Sequence, residues 1–272
     1  MSGSSSLTIT DEQSAARELV RTWAAGSGSV EAARDVEHGD ADAWRRPYDG
    51  LAQLGIFGVA LAEEHGGADG TVADLCAMLE EAAAGLVPGP VATTALATLV
   101  LGSCGGAHTE LLEALASGQR TAGVAPTAEL TRTGGTVSGT APFVLGAHSG
   151  GVLLLPVGDS WVLVDAAGDG VTVEPLKATD FSRPLARVVL DGAAAVEVTV
   201  PAQRVVDLAA TVAAAEAAGV ARWLLQTATE YAKVREQFGK PIGSFQAVKH
   251  MCAEMLLRSE QASVAAADAA RA

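Results

Sequence analysis

The spacing of apolar residues changes twice along this chain, and the fold must change type at the same two places. Residues 1–118 carry apolar residues at helical intervals. Thr10 with Gln13, and Thr71 with Asp74, each have the spacing of a capping box, in which two side chains satisfy the free backbone N–H groups where a helix begins. We therefore predict an N-terminal α-helical domain over residues 1–118.

The middle part, residues 119–205, consists of short valine-rich runs that Gly, Pro and Asp interrupt, such as GVLLLPV, WVLVDAA and GVTVEPL. Runs of this length, separated by turn residues, are typical of an antiparallel barrel or sandwich. Gly158-Asp159-Ser160 lies between two of these runs and predicts a hairpin turn. We expect an antiparallel β-barrel or sandwich here.

The last part, residues 206–272, returns to helical spacing. Asp207 is predicted to cap a long alanine-rich helix that reaches about Gln237, and Ser244 is predicted to cap a second helix. The chain ends in SVAAADAARA without a helix stop signal, which is consistent with an incomplete C-terminal helical bundle. The expected fold class is therefore α+β and multidomain: helical, then β, then the start of a helical bundle.

Charge and composition exclude several classes of protein. The chain has 18 basic and 32 acidic residues and a net charge of −14, which disfavours nucleic acid or an anionic membrane as the main partner. The polar N-terminus does not resemble a signal peptide, and the uninterrupted apolar runs are short for a bilayer span. Cys76, Cys104 and Cys252 lie far apart, and no Cys or His spacing indicates a metal site. We expect a cytoplasmic protein without a metal.

One segment, YAKVREQFGKPIGSFQAVKH, differs from the rest of the chain in the side chains it carries. Arg235, Phe238 and Gln246 stand there around a Gly-Lys-Pro-Ile-Gly break between two helical patterns. Their R-x-x-F-G…Q spacing resembles the signature of the acyl-CoA dehydrogenase family at the start of its C-terminal helical domain. The earlier stretch GLAQLGIFGVALAEEHGG resembles a loop of the same family, with Ala62 where proline is usual. The resemblance extends over nearly the whole chain in the right order.

The resemblance implies a three-domain flavoprotein that removes two hydrogens from the α and β carbons of an acyl-CoA thioester. A carboxylate takes the α proton, and FAD takes the β hydride. In this family the three motif residues reach across a dimer to the FAD seated mainly in the neighbouring subunit. The resemblance therefore assigns cofactor contacts to Arg235, Phe238 and Gln246. An arginine fork suits the pyrophosphate, a phenylalanine packs on the cofactor, and a glutamine bonds its polar edge.

Two family features are missing from the middle part. Where the family has a T-E-P-x-A-G-S-D loop, this chain has VAPTAELTRTGGTVSGT. Where the family has a W-[IV]-[TS] strand against the flavin, this chain has PFVLGA, so Phe143 replaces the indole and Leu145 replaces the hydroxyl. Leucine cannot donate the hydrogen bond that the hydroxyl gives to the flavin. These departures imply that the chain has lost its own flavin face.

No residue is assigned as the catalytic base. In most of the family the base lies in a region that would follow Ala272, and in a minority it would fall at about Ala209. The nearest carboxylates are Asp207 and Glu216, which are explained more simply as a helix cap and a solvent-facing charge. The five histidines are scattered and are expected to be structural or exposed.

Three hypotheses about function follow from the resemblance. In the favoured one, the chain resembles the smaller subunit of actinobacterial α2β2 acyl-CoA dehydrogenases that act on steroid side-chain CoA thioesters. A motif-complete partner subunit then supplies the flavin pocket, the base and the acyl cavity. The second hypothesis is a scaffold or binding module without flavin contact. The third is a fragment of a homomeric acyl-CoA dehydrogenase.

Overall fold

The computed structural model describes residues 10–105 and 108–272, in which helices are followed by strands and then by helices again. The helices are α1 (Asp11–Ala24), α2 (Ser29–Glu37), α3 (Arg45–Gln53), α4 (Val72–Ala84), α5 (Val91–Gly102), α6 (Thr109–Ala116), α7 (Ala202–Val234) and α8 (Gln246–Ala269). Short 3₁₀ turns occupy Ile56–Gly58, Glu63–His65 and Ile242–Ser244. The strands are β1 (Ala122–Val124), β2 (Glu129–Thr133), β3 (Thr136–Leu145), β4 (Val152–Val157), β5 (Ser160–Asp165), β6 (Val171–Pro175), β7 (Leu185–Ala194), β8 (Val196–Val198), β9 (Glu236–Gln237) and β10 (Lys240–Pro241). The expected order of helical, β and helical parts is confirmed.

Both predicted capping boxes are present. The Thr10 hydroxyl accepts a hydrogen bond from the Gln13 backbone N–H at 3.1 Å, where α1 begins. At the start of α4 the Thr71 hydroxyl accepts from the Asp74 backbone N–H at 3.2 Å, and the Thr71 backbone N–H donates to the Asp74 carboxylate at 2.7 Å. The starts of these two helices are therefore fixed by local side-chain chemistry.

The main sheet has eight strands in the order β6-β7-β3-β1-β4-β5-β8, with β2 paired on β3. The expectation of a purely antiparallel arrangement is wrong at one position, because β1 and β4 run parallel. The cause is the route of the chain: β3 returns antiparallel to β1, so β4, which follows β3, again runs in the direction of β1. The hairpin turn at Gly158 and Asp159 is confirmed, with Val157 opposite Ser160.

The sheet separates two apolar cores. Leu154 and Leu163 belong to a core shared with the helices, whereas Leu153 and Val162 belong to a second core formed within the β part. All four side chains are buried, as expected for strands that pack on both faces. The N-terminal helices, the sheet and α7 therefore share one continuous apolar core, which fixes the first half of α7.

The helix α7 begins earlier than the sequence predicts. It starts at Ala202, directly after Pro201, so Asp207 lies in its second turn, where the carboxylate accepts a hydrogen bond from the Gln203 amide at 2.8 Å. The assignment of Asp207 as a cap is wrong, because the helix begins five residues earlier, with Pro201 at the N-cap position. Ser244 is likewise not a cap, since it lies in a 3₁₀ turn and α8 begins at Gln246.

Length and composition alone would allow α7 to cross a membrane. Its most apolar window has a mean hydropathy of 1.3, and 33% of that window is buried inside the protein. Core helices of soluble proteins can be equally long and apolar. Here α7 packs against α4, α5 and α8.

Two buried glutamates on α4 connect the N-terminal helices to α7. The Glu81 carboxylate accepts hydrogen bonds from both the Arg21 guanidinium on α1, at 3.0 and 3.1 Å, and the Arg222 guanidinium on α7. Burial by itself raises the pKa of the Glu81 carboxyl. The hydrogen bonds from Arg21 and Arg222, together with the positive charges of these two residues, lower the pKa by more, so it lies below the ordinary glutamate value. The carboxylate therefore stays ionised while it is held between helices.

The neighbouring Glu80 extends this connection to α8. Its carboxylate accepts from Arg17 at 2.6 Å and from the Ser263 hydroxyl at 2.7 Å. At the same level Gly219 lets α7 approach α4 closely, since a Cβ atom at position 219 would lie 2.2 Å from the Glu80 carbonyl oxygen. Both C-terminal helices are therefore anchored on α4 through this cluster.

Candidate cofactor-binding site

The far ends of α7 and α8 project away from the rest of the protein. Between residues 224 and 258, Ala232 is the only buried residue. We call this segment the arm: two antiparallel helical ends joined by a short loop. Because the arm is anchored at its base and exposed along its length, its tip is accessible to a neighbouring molecule.

The loop at the tip of the arm is a two-stranded hairpin. Strands β9 and β10 pair through Gln237 and Lys240, and the two turn residues are Phe238 and Gly239. Both have left-handed backbone conformations, with φ of 54° and 73°. A two-residue turn with positive φ at both positions matches the right-handed twist of a hairpin, and glycine adopts it freely. A phenylalanine there is unfavourable by about 1–2 kcal/mol.

The Phe238 side chain is also exposed, with 91% of its surface open to solvent. The residue therefore combines an unfavourable backbone conformation with an apolar ring in water. Its nearest ring is that of Phe245, edge-on at 6.1 Å between centroids. Strained residues at exposed positions are characteristic of functional sites, so we interpret the ring as a contact residue rather than as a packing residue.

Arg235 stands where α7 ends. Its backbone N–H donates to the Tyr231 carbonyl at 2.9 Å, while its side chain is exposed. Two further basic residues of the arm, Lys233 and Arg258, are paired with carboxylates, at 2.5 Å and 2.6 Å. Among the described residues, no carboxylate lies within ion-pairing distance of the Arg235 guanidinium. Its five N–H donors are thus available to an anionic group.

Gln246 is the first residue of α8, and its side chain is exposed on the same tip. Its amide nitrogen lies 2.8 Å from the imidazole Nε2 of His250, one helical turn further on. The tip thus carries all three residues of the sequence motif, Arg235, Phe238 and Gln246, and their side chains are exposed.

Sequence reasoning missed two further residues of this tip. The Lys240 ammonium lies 4.4 Å from the centroid of the Phe245 ring, which holds the lysine beside the hairpin by a cation–π contact. A lysine next to the glycine turn and an aromatic residue next to the glutamine were visible in the sequence, but their partnership depends on the hairpin.

The tip is locally basic in an acidic protein. Residues 231–250 contain four basic residues and one acidic residue, although the whole chain has a net charge of −14. A local positive potential of this kind attracts phosphate groups. An unpaired guanidinium, an exposed ring and a side-chain amide together fit a ligand that carries both phosphates and a planar aromatic group, which is the chemistry of a dinucleotide such as FAD.

The part of the sheet expected to face a flavin has a different character. Phe143 on β3 is 59% exposed, and it lies in a bulge between the pairs that Ala141 and Val144 make with β7. Leu145 ends the strand and pairs with Leu185. Neither side chain carries a hydrogen-bonding group, so this strand offers a flavin no side-chain donor at these two positions.

The two carboxylates considered as bases have other partners. Glu216 on α7 forms an ion pair with Arg183 at 2.8 Å, and Arg183 lies 3.1 Å from Asp180 in the connection between β6 and β7. The interpretation of Glu216 as a solvent-facing charge is therefore wrong, because its ion pair joins α7 to the loop that leads into β7. Asp207 is exposed and bonded to Gln203. Within residues 10–105 and 108–272, no group of three or more His, Cys, Asp or Glu side chains is arranged to hold a metal ion.

Comparison with known proteins gives the same picture of the fold. Residues 10–119 match the family model described as "Acyl-CoA dehydrogenase, N-terminal domain", and residues 200–272 match "Acyl-CoA dehydrogenase, C-terminal domain". The chain is 61% identical to the acyl-CoA dehydrogenase FadE34 of Mycobacterium tuberculosis, over 97% of this chain and 38% of FadE34. It is 33% identical to the acyl-CoA dehydrogenase IpdE2 of Mycolicibacterium smegmatis, over 92% of this chain and 74% of IpdE2.

Solved structures extend the comparison. A variant described as the Tcur3481-Tcur3483 steroid ACAD superimposes with a TM-score of 0.82 at 30% identity, covering 96% of this chain and 79% of that chain. A glutaryl-coenzyme A dehydrogenase in complex with glutaryl-CoA gives a TM-score of 0.84 at 21% identity, covering 97% and 77%. PigA with FAD and proline gives a TM-score of 0.80 at 22% identity, covering 96% of this chain and 78% of that chain. At these identities, PigA and the glutaryl-coenzyme A dehydrogenase show the fold alone.

The helical, β and helical order, shared with the solved structures above, defines the acyl-CoA dehydrogenase fold. The chain belongs to the acyl-CoA dehydrogenase family, whose cofactor is FAD. It spans about two fifths of the length of FadE34, at 38%, and about three quarters of IpdE2, at 74%.

Proposed function

We propose that this chain is a subunit of a hetero-oligomeric, FAD-dependent acyl-CoA dehydrogenase and that its arm contacts FAD seated mainly in a motif-complete partner subunit. The observation that carries this proposal is the tip of the arm. There an exposed Phe238 ring on a left-handed turn stands beside an unpaired Arg235 guanidinium, on a segment that projects away from its own subunit.

The roles of the tip residues follow from their chemistry. The Arg235 guanidinium would hold the pyrophosphate, because its planar fork of N–H donors suits phosphate oxygens. The Phe238 ring packs on an apolar face of the cofactor and shields it from water. The Gln246 amide bonds a polar edge. When bound, FAD accepts the hydride in the α,β-dehydrogenation of an acyl-CoA thioester, and the residues of this chain hold the cofactor in place.

Two features of this chain support the proposal that the two subunits contribute different parts of the active site. The β3 strand has Phe143 and Leu145 where a flavin-facing hydroxyl would be needed, and Glu216 is engaged with Arg183. The residues at the tip of the arm can therefore hold FAD, but Phe143, Leu145 and Glu216 provide neither a flavin-binding face nor a free catalytic base. We propose that the partner subunit supplies the flavin pocket, the base and the acyl cavity.

The sides of the arm support association with that partner. Several large apolar side chains on the arm are exposed, although each would be more stable out of water. They are Leu224, Tyr231, Val234, Met251, Leu256 and Leu257. We propose that these residues pack against the partner subunit and that the isolated chain is poorly soluble or self-associates.

The class of substrate is also a proposal. The structural relative at 30% identity is described as a steroid ACAD. We propose that the complex acts on the CoA thioester of a steroid side chain and that it does so in the cytoplasm.

The experiment compares the isolated chain with the chain co-expressed with a motif-complete acyl-CoA dehydrogenase. The first partner to test is a dehydrogenase encoded by the neighbouring reading frame. We expect the isolated chain to be colourless and inactive, and the complex to be yellow, with one FAD for each unlike pair. Stoichiometric FAD in the isolated chain would contradict the proposal and favour a fragment of a homomeric enzyme. A flavin-free monomer that does not associate with the dehydrogenase would favour a scaffold.

A further inference from the structure

In the structure, the Gln246 amide turns its nitrogen rather than its oxygen towards the imidazole of His250. The two residues are one turn apart on α8, and the amide Nε2 lies 2.8 Å from the imidazole Nε2. An amide nitrogen is only a donor, so the imidazole Nε2 must accept. An imidazole that accepts at Nε2 is neutral and carries its proton on Nδ1. The Gln246 carbonyl oxygen is then left without a partner from His250.

We propose that His250 is a positioning residue that holds the Gln246 amide with its oxygen free, so that the arm presents a hydrogen-bond acceptor to FAD. This inference rests on the proposed function of the arm. It adds a statement about the ligand: the group of FAD that meets Gln246 is a donor, which means an amino or hydroxyl group rather than a phosphate oxygen.

The position of Gln246 explains why its side chain needs a neighbouring residue to hold it in one orientation. It is the first residue of α8, where no side chain caps the helix, and its side chain is exposed. A free glutamine side chain samples many rotamers, and its amide can present either end. The imidazole of His250, which has only two side-chain torsions, restricts both the position and the orientation of the amide.

A purely electrostatic role for His250 predicts the opposite response to substitution. The tip of the arm is basic, and FAD carries two phosphates. If residue 250 acted only through charge, a lysine there would strengthen FAD binding and a glutamate would weaken it. If residue 250 acts through the amide, a glutamate keeps an acceptor facing the Gln246 N–H group. A lysine, which can only donate, turns the amide around.

The test uses the complex and measures FAD released on dilution for His250→Gln, His250→Glu and His250→Lys. We expect His250→Gln, whose carbonyl also accepts, to stay near the unsubstituted complex, and His250→Lys to bind FAD about two- to tenfold more weakly. His250→Glu should retain more FAD than His250→Lys. The reverse order, or equal retention in all three, would overturn the inference. His38→Gln, an exposed histidine after α2, is the matched control.

Gln246→Ala separates this inference from the proposed function. If Gln246→Ala leaves FAD retention unchanged, the proposed contact of Gln246 with FAD is itself wrong. If Gln246→Ala weakens retention but the histidine variants do not, the positioning role alone is wrong. In a Gln246→Ala background there is no amide to turn around, so His250→Lys should not weaken FAD retention further.

The tautomer of His250 gives a second test that needs no partner. Side-chain ¹⁵N spectra of the chain distinguish a neutral imidazole protonated on Nδ1 from one protonated on Nε2. We expect the His250 ring to be protonated on Nδ1 and to lose this preference in Gln246→Ala. A neutral ring protonated on Nε2 would overturn the inference, because the amide would then have to point its oxygen at His250.

Discussion

The backbone carbonyl of Arg235 accepts a hydrogen bond from the backbone N–H of Ile242 at 2.8 Å, which closes the loop between α7 and α8. Because this bond and the hairpin inside it use backbone atoms, the Arg235 side chain has no part in holding the loop together. Substitutions of that side chain therefore test binding without disturbing the tip of the arm.

Phe238→Gly is expected to stabilise the protein and weaken its hold on FAD. Glycine adopts the left-handed conformation at this position without strain, so unfolding should become less favourable by up to about 1 kcal/mol. The same substitution removes the exposed ring, so FAD retention in the complex should fall. Chemical unfolding of the chain and FAD release from the complex measure the two effects.

Phe238→Ala is the matched control, because it also removes the ring but keeps a Cβ atom in the left-handed region. It should weaken FAD retention as much as Phe238→Gly without the gain in stability. Equal free energies of unfolding for the two variants would show that the turn is not strained.

Glu81→Ala should destabilise the protein by about 1.5–3 kcal/mol, because it removes a buried carboxylate that accepts charge-assisted hydrogen bonds from arginines on two other helices. The Glu81 side chain is buried and meets Arg21 and Arg222. Glu18→Ala removes an exposed partner of Arg21 and should change stability by about 0–1 kcal/mol. Urea unfolding of both variants provides the comparison, and similar small changes in the two would mean that the cluster does not anchor α7.

The same carboxylate should make stability depend on acid pH. Burial alone raises the pKa of Glu81, but Arg21 and Arg222 lower it below the ordinary value, so the folded protein binds this proton less readily than the unfolded chain does. The stabilising contribution is complete above the ordinary glutamate pKa of about 4.3 and is lost as the pH falls towards the lower folded value. Glu81→Gln should therefore flatten the loss of stability between about pH 4.3 and lower pH, measured by thermal unfolding. An unchanged slope would contradict the assignment.

Glu216→Gln should lower stability but leave turnover of the complex nearly unchanged, because the glutamate is paired with Arg183. Asp207→Asn, an equally conservative change on the same helix, should affect neither property. Steady-state turnover and thermal unfolding of the complex test both variants. A fall in turnover of about a hundredfold or more for either one would identify it as a general base.

Local motifs were predictable from the sequence, and long-range partnerships were not. The capping box at Thr10 and the turn at Gly158 depend on residues a few positions apart, and both are where the sequence places them. Asp207 has the right side chain for a cap, but the helix already begins at Ala202, with Pro201 at the N-cap position. The parallel pairing of β1 with β4 depends on the path of the whole chain, which no local pattern reveals.

The candidate site shows the same division. The spacing of Arg235, Phe238 and Gln246 predicted a shared surface, and all three lie on the tip of the arm. The left-handed conformation of Phe238 was not predictable, because it arises from the hairpin register. The anchor of the arm was not predictable either, since Arg222 and Glu81 are 141 positions apart in sequence and meet only where α7 crosses α4.

Affinity for FAD in the complex with and without the Arg235 guanidinium tests the central claim most directly. Arg235→Ala removes a charge-assisted hydrogen bond worth about 1.5–3 kcal/mol, which corresponds to FAD binding about ten- to a hundredfold weaker. Arg235→Lys should recover only part of this loss, because an ammonium keeps the charge but not the two-pronged geometry. Arg258→Ala, which removes an arginine paired with Glu254, is the control and should change nothing.

The measurement is the fraction of FAD released on dilution of the co-purified complex, with subunit association checked by gel filtration. The account predicts that Arg235→Ala releases FAD at concentrations where the unsubstituted complex retains it, while the subunits stay associated. Unchanged FAD retention in Arg235→Ala would contradict the account and show that the arginine is a surface charge.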